Sequence, residues 1–342
     1  MISFRAPHDV VLVDYEERLP AAGEVLVRTL YSGISAGTEL TAYRGTNPYV
    51  TKHWDNERRL FVEGTPTFSY PLDAWGYEQV GAVAAVGEGT TTRRRGDIVW
   101  GIWGHRSSAI VADDHVAQHL LPEGVPPMCG VFARIGAVAL NAVLDADIHV
   151  GEVVAVFGQG VPGLIASQLA RLNGGTVVAV DRIPRRLELA RALGATTVID
   201  AGTTSAASAV KDVTGGRGAD VVIELTGSAG ALHEAIRSAA YASRVVVAGF
   251  SQDGANALRL GEEFHLNRIE LVSSQISHVA PRFSHRWSPE RLERTVIELC
   301  AEGRLELEAL VTHVLPANRA ADAFRLLDER PEEAVQVVLD FT

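Results

Sequence analysis

The chain has 342 residues, 47% of them hydrophobic, enough for about two domains with a large core and too apolar for a disordered polymer. Its formal net charge is -11, which argues against a nucleic-acid partner, because phosphate binding needs clustered Lys and Arg. Two cysteines, Cys129 and Cys300, supply neither a disulfide framework nor a four-thiolate zinc site. Both read as core thiols, with a pocket-lining role as the alternative for Cys129.

The N-terminal stretch MISFRAPHDVVLVDY lacks the charged-then-apolar order of a signal peptide and goes straight into strand-like alternation. No apolar run is read as approaching the roughly 20 residues that cross a bilayer. No membrane partner and a cytoplasmic location are therefore expected. Up to about residue 120, runs such as VVLVDY, EVLVRTLYSG, GAVAAVGEG and GDIVWGIWG alternate with Gly, Pro and Asp turns, predicting short strands of a barrel or sandwich. Residues 44–74 break that pattern. They are polar, turn-rich and aromatic, with Tyr49, Trp54, Phe61, Phe68 and Tyr70, and read either as a surface loop pinned by its rings or as a pocket wall. The basic run Arg93-Arg94-Arg95 precedes Gly96-Asp97 and reads as a solvated turn.

From about residue 150 the rhythm changes. VVAVF, TVVAVD, TTVID, DVVIEL, RVVVAGF and RIELVSS are apolar on both faces and are mostly separated by helical patterns. That alternation predicts an α/β domain, a parallel sheet covered on both sides, wound as a nucleotide-binding fold. VVAVF runs directly into Gly158-Gln-Gly160-Val161-Pro162-Gly163 and an apolar helix, and Asp181 ends the next strand. In that context Gly158 permits a tight turn, Gly160 lets backbone approach a pyrophosphate, and Gly163 lets helix and strand pack closely. Val161 and Pro162 open the helix whose N-terminus faces the phosphates. Asp181 can accept from a ribose diol and would repel a 2'-phosphate, favouring NAD. Arg182, Arg185 and Arg186 follow at once and keep NADP possible.

This order of domains, with TLYSGISAGTEL, WGYEQVGAVAAVG and RRRGDIVWG in the first and VAVFGQGVPGLIASQLAR, GADVVIELTGSAGALHEAI and SRVVVAGF in the second, resembles the medium-chain dehydrogenase/reductase superfamily. The resemblance covers nearly the whole chain. It implies a GroES-like β-barrel catalytic domain, residues 1–122 and 276–342, and a Rossmann cofactor domain, residues 123–275. It also implies that Thr226-Gly227 and Gly249-Phe250 border the nicotinamide half of the cofactor. In zinc-dependent members a cysteine, a histidine and a third ligand stand where this chain resembles them with Ser35, Tyr77 and, within a residue or so, Arg134. Serine is a poor zinc ligand, tyrosine an uncommon one, and arginine cannot be one. The four-cysteine lobe expected after GDIVWG is replaced by IWGHRSSAIVAD. A metal-free protein is expected.

Without zinc, hydride transfer from an alcohol needs hydrogen-bond donors and a proton acceptor from the protein. Tyr77 is the first choice, its pKa lowered by Arg134, with Arg134 also paired to Glu78. Thr38 resembles the hydroxyl that starts the family's proton relay, and Thr41 stands where histidine often follows. His105 is a reserve, with a surface loop as the bland alternative. SGISAGTEL and SSQISHVAPRF resemble a subgroup that includes the bacteriochlorophyllide hydroxyethyl dehydrogenase. The expected activity is a zinc-independent, NAD-dependent dehydrogenase of a secondary alcohol, a sugar, cyclitol or other polyol, in a homodimer or homotetramer. The rivals are an NADPH-dependent quinone or enone reductase and a catalytically silent nucleotide-binding regulator.

Overall fold

A computed structural model describes residues 1–251 and 254–342. Two compact units emerge: Met1–Arg134 with Val311–Thr342, and Ile135–Leu310. The second unit therefore starts twelve residues later and runs 35 residues further than the boundaries expected from the sequence. The reason is packing. Helix Pro289–Ala301 presses Val296 so close to Gly136 that a Cβ there would meet its Cγ1 at 2.5 Å. Gln168 also takes the Glu306 amide at 2.9 Å, tying the segment beyond that helix to the helix Val161–Leu172 that covers the nucleotide-type sheet.

In the first unit, a mixed sheet runs in the order Val311–Pro316, Gln336–Asp340, Glu24–Ile34, Glu78–Val86, Ile98–Gly101, and Ser108–Ala112 pairs with the start of Glu24–Ile34. The long strand Glu24–Ile34 sends Val25 and Val27, every second side chain, into one core, while Ile34 at its far end joins another. Its C-terminal half pairs antiparallel with the strand that follows Tyr77, placing Gly33 opposite Glu78. A second core gathers Ile2, Phe4, Leu40, Tyr43, Phe324, Val337 and Leu339. This is the GroES-like half of the fold.

The aromatic segment is ordered by a short helix, a hairpin and its own rings. Asn47 caps a short helix, Pro48–Thr51, and His53–Asp55 and Leu60–Val62 form a hairpin. Tyr49, Trp54, Phe61, Phe68 and Trp75 then contact one another at ring-centroid distances of 4.8–6.3 Å. The segment is pinned by its own rings.

The second unit contains a six-stranded all-parallel sheet in the order Thr197–Asp200, Thr176–Asp181, Val153–Phe157, Ala219–Glu224, Ala239–Val247, Glu270–Ser273. Numbered in sequence, that is the doubly wound order 3-2-1-4-5-6. All six expected strands are present. The fifth begins inside AAY, which the sequence pattern assigns to the preceding helix. One stretch, Pro127–Ala146, is long and apolar enough by composition to span a bilayer, contrary to the expectation above, but most of it is buried inside the protein. It behaves as a core helix. Cys129 is buried as expected, whereas Cys300 is only half-buried.

Candidate active site and cofactor site

The cofactor-type site is built at the C-terminal end of the parallel strands. Gly158 follows the first strand with φ +86, a left-handed conformation that glycine adopts without strain. A Cβ on Gly163 would lie 1.7 Å from the Gly158 carbonyl oxygen, so a side chain there collides with backbone. Gly160 caps the helix Val161–Leu172, and Pro162 in its first turn has no amide to leave unpaired. Asp181 is buried at the end of the second strand. Its carboxylate accepts from the amides of Gln159 at 2.6 Å, Arg182 at 2.7 Å and Ile183 at 2.9 Å. Three of about four acceptor positions thus shape the glycine loop, and roughly one remains for a ribose hydroxyl. Arg182 is exposed and Arg186 half-buried.

Thr226-Gly227 and Gly249-Phe250 are brought together, as expected for two loops bordering one ligand. A Cβ on Gly249 would meet the Gly227 nitrogen at 2.4 Å. The residue that joins them is Glu224, which sequence reasoning missed. Its carboxylate accepts from the amide of Thr226 at 2.6 Å and from the Thr226 hydroxyl, while its carbonyl takes the amides of Ala248 and Gly249. Burial pushes the Glu224 carboxyl above its usual range, and the donors of Thr226 and Gly227 oppose the shift. The available signal was a carboxylate closing an otherwise apolar strand. These residues fit a dinucleotide, with the loop and helix N-terminus for phosphates and Asp181 for a ribose.

In the first unit, the candidate catalytic side chains meet at Tyr77. Its hydroxyl forms a short hydrogen bond with Ser35 Oγ and a long one, 3.5 Å, to Thr38 Oγ1. Ser35 directly follows the strand Glu24–Ile34, and Thr38 precedes the short helix Glu39–Arg44. Thr41 faces elsewhere. Its hydroxyl donates to the Thr38 carbonyl at 2.6 Å and accepts from Asn47 at 2.7 Å, a structural role.

Two expectations fail here. Burial, reinforced by the neighbouring Glu78 carboxylate, pushes the Tyr77 phenol well above its ordinary value, with the Ser35 and Thr38 hydrogen bonds opposing. It is not lowered. The Glu78–Arg134 ion pair is also not found. Glu78 is buried, and neither carboxylate oxygen has a hydrogen-bond partner. Gln336 lies beside it, but both amide hydrogens go to the carbonyls of Ile34 at 3.2 Å and Val337 at 3.0 Å. Gln336 Oε1 is left unpartnered as well. The atom of Gln336 nearest this site is the amide nitrogen: a Cβ on Gly33 would meet both Glu78 Oε2 and Gln336 Nε2. Burial, then the nearby Glu39 carboxylate, push the Glu78 carboxyl well above the usual range, and the Gln336 amide beside it opposes the shift.

His105 is not in a surface loop. It is fully buried, with Nε2 2.6 Å from Glu39 Oε2 and Nδ1 2.7 Å from Ser32 Oγ. Glu39 and Ser32 were not singled out from the sequence. The hint for Glu39 was its place inside GTEL.

The donors around Tyr77 do not fit zinc. They are hydroxyls, one of them a phenol held protonated, and zinc takes thiolate, imidazole and carboxylate. Among the described residues, three His, Asp or Glu ligand atoms converge at His233, Glu262 and Glu263 of the second unit. Glu263 there is engaged by Arg237 at 3.1 Å, while His233 Nδ1 and Glu263 Oε2 are buried without a hydrogen-bond partner.

Residues 162–294 match the model of a family described as zinc-binding dehydrogenase. The chain is 32% identical over 350 residues to a D-guloside 3-dehydrogenase of Shigella flexneri, covering 98% of both proteins. It is 27% identical to a (R,R)-butanediol dehydrogenase of Bacillus subtilis strain 168, covering 89% of this chain and 88% of that one. Its fold matches a short chain alcohol dehydrogenase of E. coli CFT073 complexed with the cofactor NADH, with TM-score 0.77, 23% identity, and coverage of 99% and 98%. The chain belongs to the zinc-binding dehydrogenase family of the medium-chain dehydrogenase/reductase superfamily.

Proposed function

We propose that the protein is a zinc-independent, NAD-dependent dehydrogenase acting on a secondary alcohol of a sugar, cyclitol or other polyol. The observation that carries this reading is the Ser35–Tyr77–Thr38 hydroxyl cluster, in which Ser35 and Tyr77 stand at positions that resemble zinc ligands and Thr38 at the one that resembles the relay hydroxyl. The relatives named D-guloside and butanediol dehydrogenases support the substrate class. Asp181, with carboxylate capacity left for a ribose diol, supports NAD over NADP.

NAD⁺ supplies the hydride acceptor when bound. The chain's own task is the proton on the alcohol oxygen. Tyr77 keeps its proton at neutral pH, so it donates a hydrogen bond to the substrate oxygen and serves as the acid in the carbonyl-reducing direction. By microscopic reversibility, alcohol oxidation returns a proton to the phenolate. Ser35 and Thr38 hold the oxygen in place and share the charge as it develops.

The test follows reduced nicotinamide by absorbance, using chelator-treated protein, NAD⁺ and NADP⁺, and a panel of glycosides, cyclitols and polyols. NADH formed at an undiminished rate after metal removal is expected. Activity lost on chelation and restored by Zn²⁺ would overturn the metal-free reading. NADPH consumption with an enone or quinone, and silence with every alcohol, would move the protein to the double-bond reductases.

A further inference from the structure

The Ser35–Tyr77 contact joins residues 42 positions apart, on two different segments. One buried residue braces both segments. His105 Nε2 meets Glu39 Oε2 at 2.6 Å, and Glu39 Oε1 accepts the Ser35 amide at 2.9 Å. On its other flank the same imidazole lies against Gly76, the residue before Tyr77. A Cβ on Gly76 would be 2.7 Å from Nε2 and 2.8 Å from Cε1, and Gly76 has φ +112. The His105 amide also donates to the Trp75 carbonyl at 3.1 Å. The ring is therefore wedged between the segment that presents Ser35 and the segment that presents Tyr77.

A hydrogen-bond chain backs the ring. Gln79 Oε1 accepts the amides of Trp103 at 3.0 Å and Gly104 at 3.1 Å, which fixes which end of the amide faces Ser32. Gln79 Nε2 donates to Ser32 Oγ at 3.0 Å. The single Ser32 hydrogen then goes to His105 Nδ1, and the ring proton on Nε2 goes to Glu39. Ser32, Glu39, Gln79 and His105 are all at most 1% exposed, so no member of this chain reaches a substrate.

We propose that His105 is a positioning residue for the Tyr77 centre: through Glu39 it sets Ser35, and through Gly76 it aims Tyr77. The inference deepens the proposed function and rests on Tyr77 being the proton-handling group. A fixed wedge of this kind matters because a shift of about 1 Å in a reacting group can cost on the order of a hundredfold in rate.

The experiment has two readouts. Tyrosine labelled with ¹³C at Cζ gives resonances for the seven tyrosines, and Tyr77→Phe assigns the one of interest. His105→Ala is expected to move that resonance, and His105→Gln, whose amide reaches Glu39, to bring it partway back. An unmoved Tyr77 resonance in His105→Ala overturns the proposal without any turnover being needed. In the assay above, His105→Ala is expected to lower kcat by about a hundredfold with little change in KM, His105→Gln recovering at least about tenfold of that. NADH binding, followed by fluorescence, reports that each variant is folded. If His105→Ala does not fold, His105→Gln and Glu39→Gln carry both readouts, and wild-type values in both variants overturn the proposal. Normal kcat in Tyr77→Phe instead removes the reading of Tyr77 itself, an outcome distinct from normal kcat in His105→Ala beside an impaired Tyr77→Phe.

Discussion

Tyr77 and Glu78 are adjacent, both ionisable, and both held in their protonated forms by burial. A phenol whose pKa lies well above its ordinary value leaves little phenolate at pH 7. The small fraction that exists grows about tenfold per pH unit below that pKa. Alcohol oxidation should therefore climb with pH through the alkaline range, up to the limit of stability, while carbonyl reduction stays flat or falls. Tyr77→Phe should abolish the slope and lower oxidation by about a hundredfold or more, within the range that general acid–base groups contribute. A pH–rate profile of both directions checks this, and a slope that survives the substitution assigns the proton to another group. Glu78 gives a stability prediction. Its carboxyl is raised in the folded state, so between the usual carboxylate pKa of 4.5 and its folded value the unfolded chain releases a proton that the folded chain keeps. Stability falls as pH rises through that window. Glu78→Gln removes the titration while keeping the size of the buried side chain. The variant should match the wild type near pH 4.5 and exceed it at pH 8, by on the order of 1 kcal/mol. Thermal melts across that range decide it, and a wild type whose stability rises with pH relative to the variant would show that Glu78 is a paired carboxylate.

At the scale of elements, the glycine loop and the second strand depend on one carboxylate. Asp181 accepts three backbone amides and so anchors the loop, and on the proposed NAD reading it is also the residue that would discriminate between the two cofactors. Asp181→Ser removes the charge that repels a 2'-phosphate and leaves Arg182 and Arg186 nearby in sequence. The ratio of NADPH to NADH affinity should rise by at least about tenfold, with loss of thermal stability because charged acceptors are worth more than neutral ones. Fluorescence titration with both nucleotides checks the ratio, and an unchanged ratio means that Asp181 serves the loop alone. The cofactor element was legible because its signal is local: strand, Gly158, Gly160, Gly163, helix and Asp181 fall within 29 residues. Glu224 was not, since its role lies in joining two loops that only the parallel sheet brings together. The Tyr77 centre was legible only in part. Ser35, Thr38 and Tyr77 were found by resemblance and do meet. The environment was misjudged, because an expected cation pairing set the direction of the Tyr77 shift, whereas burial and Glu78 set the actual one. The His105–Glu39 pair spans 66 positions and has no sequence period to betray it.

At the scale of the whole molecule, the parallel sheet of the second unit ends in a short strand, Glu270–Ser273, hydrogen-bonded on one side to Ala239–Val247. Glu270, Leu271 and Ser273 of this strand are exposed, and Leu266 is 71% exposed shortly before it. An open strand edge with apolar neighbours is a site of self-association unless something covers it. We propose that a second copy of the chain covers it, joining two six-stranded sheets edge to edge in a homodimer, which in turn can pair into a tetramer. Leu271→Lys places a charge on that edge opposite its own symmetry mate. Light scattering after size exclusion should show the wild type at twice the 36.6 kDa chain mass or a multiple of it, and the variant shifted toward the monomer. Binding of NADH to the variant should persist, since the glycine loop and Asp181 lie on other strands of the sheet. A wild type that elutes as a monomer at all accessible concentrations would refute the edge pairing, and a variant that stays dimeric would move the interface to another face.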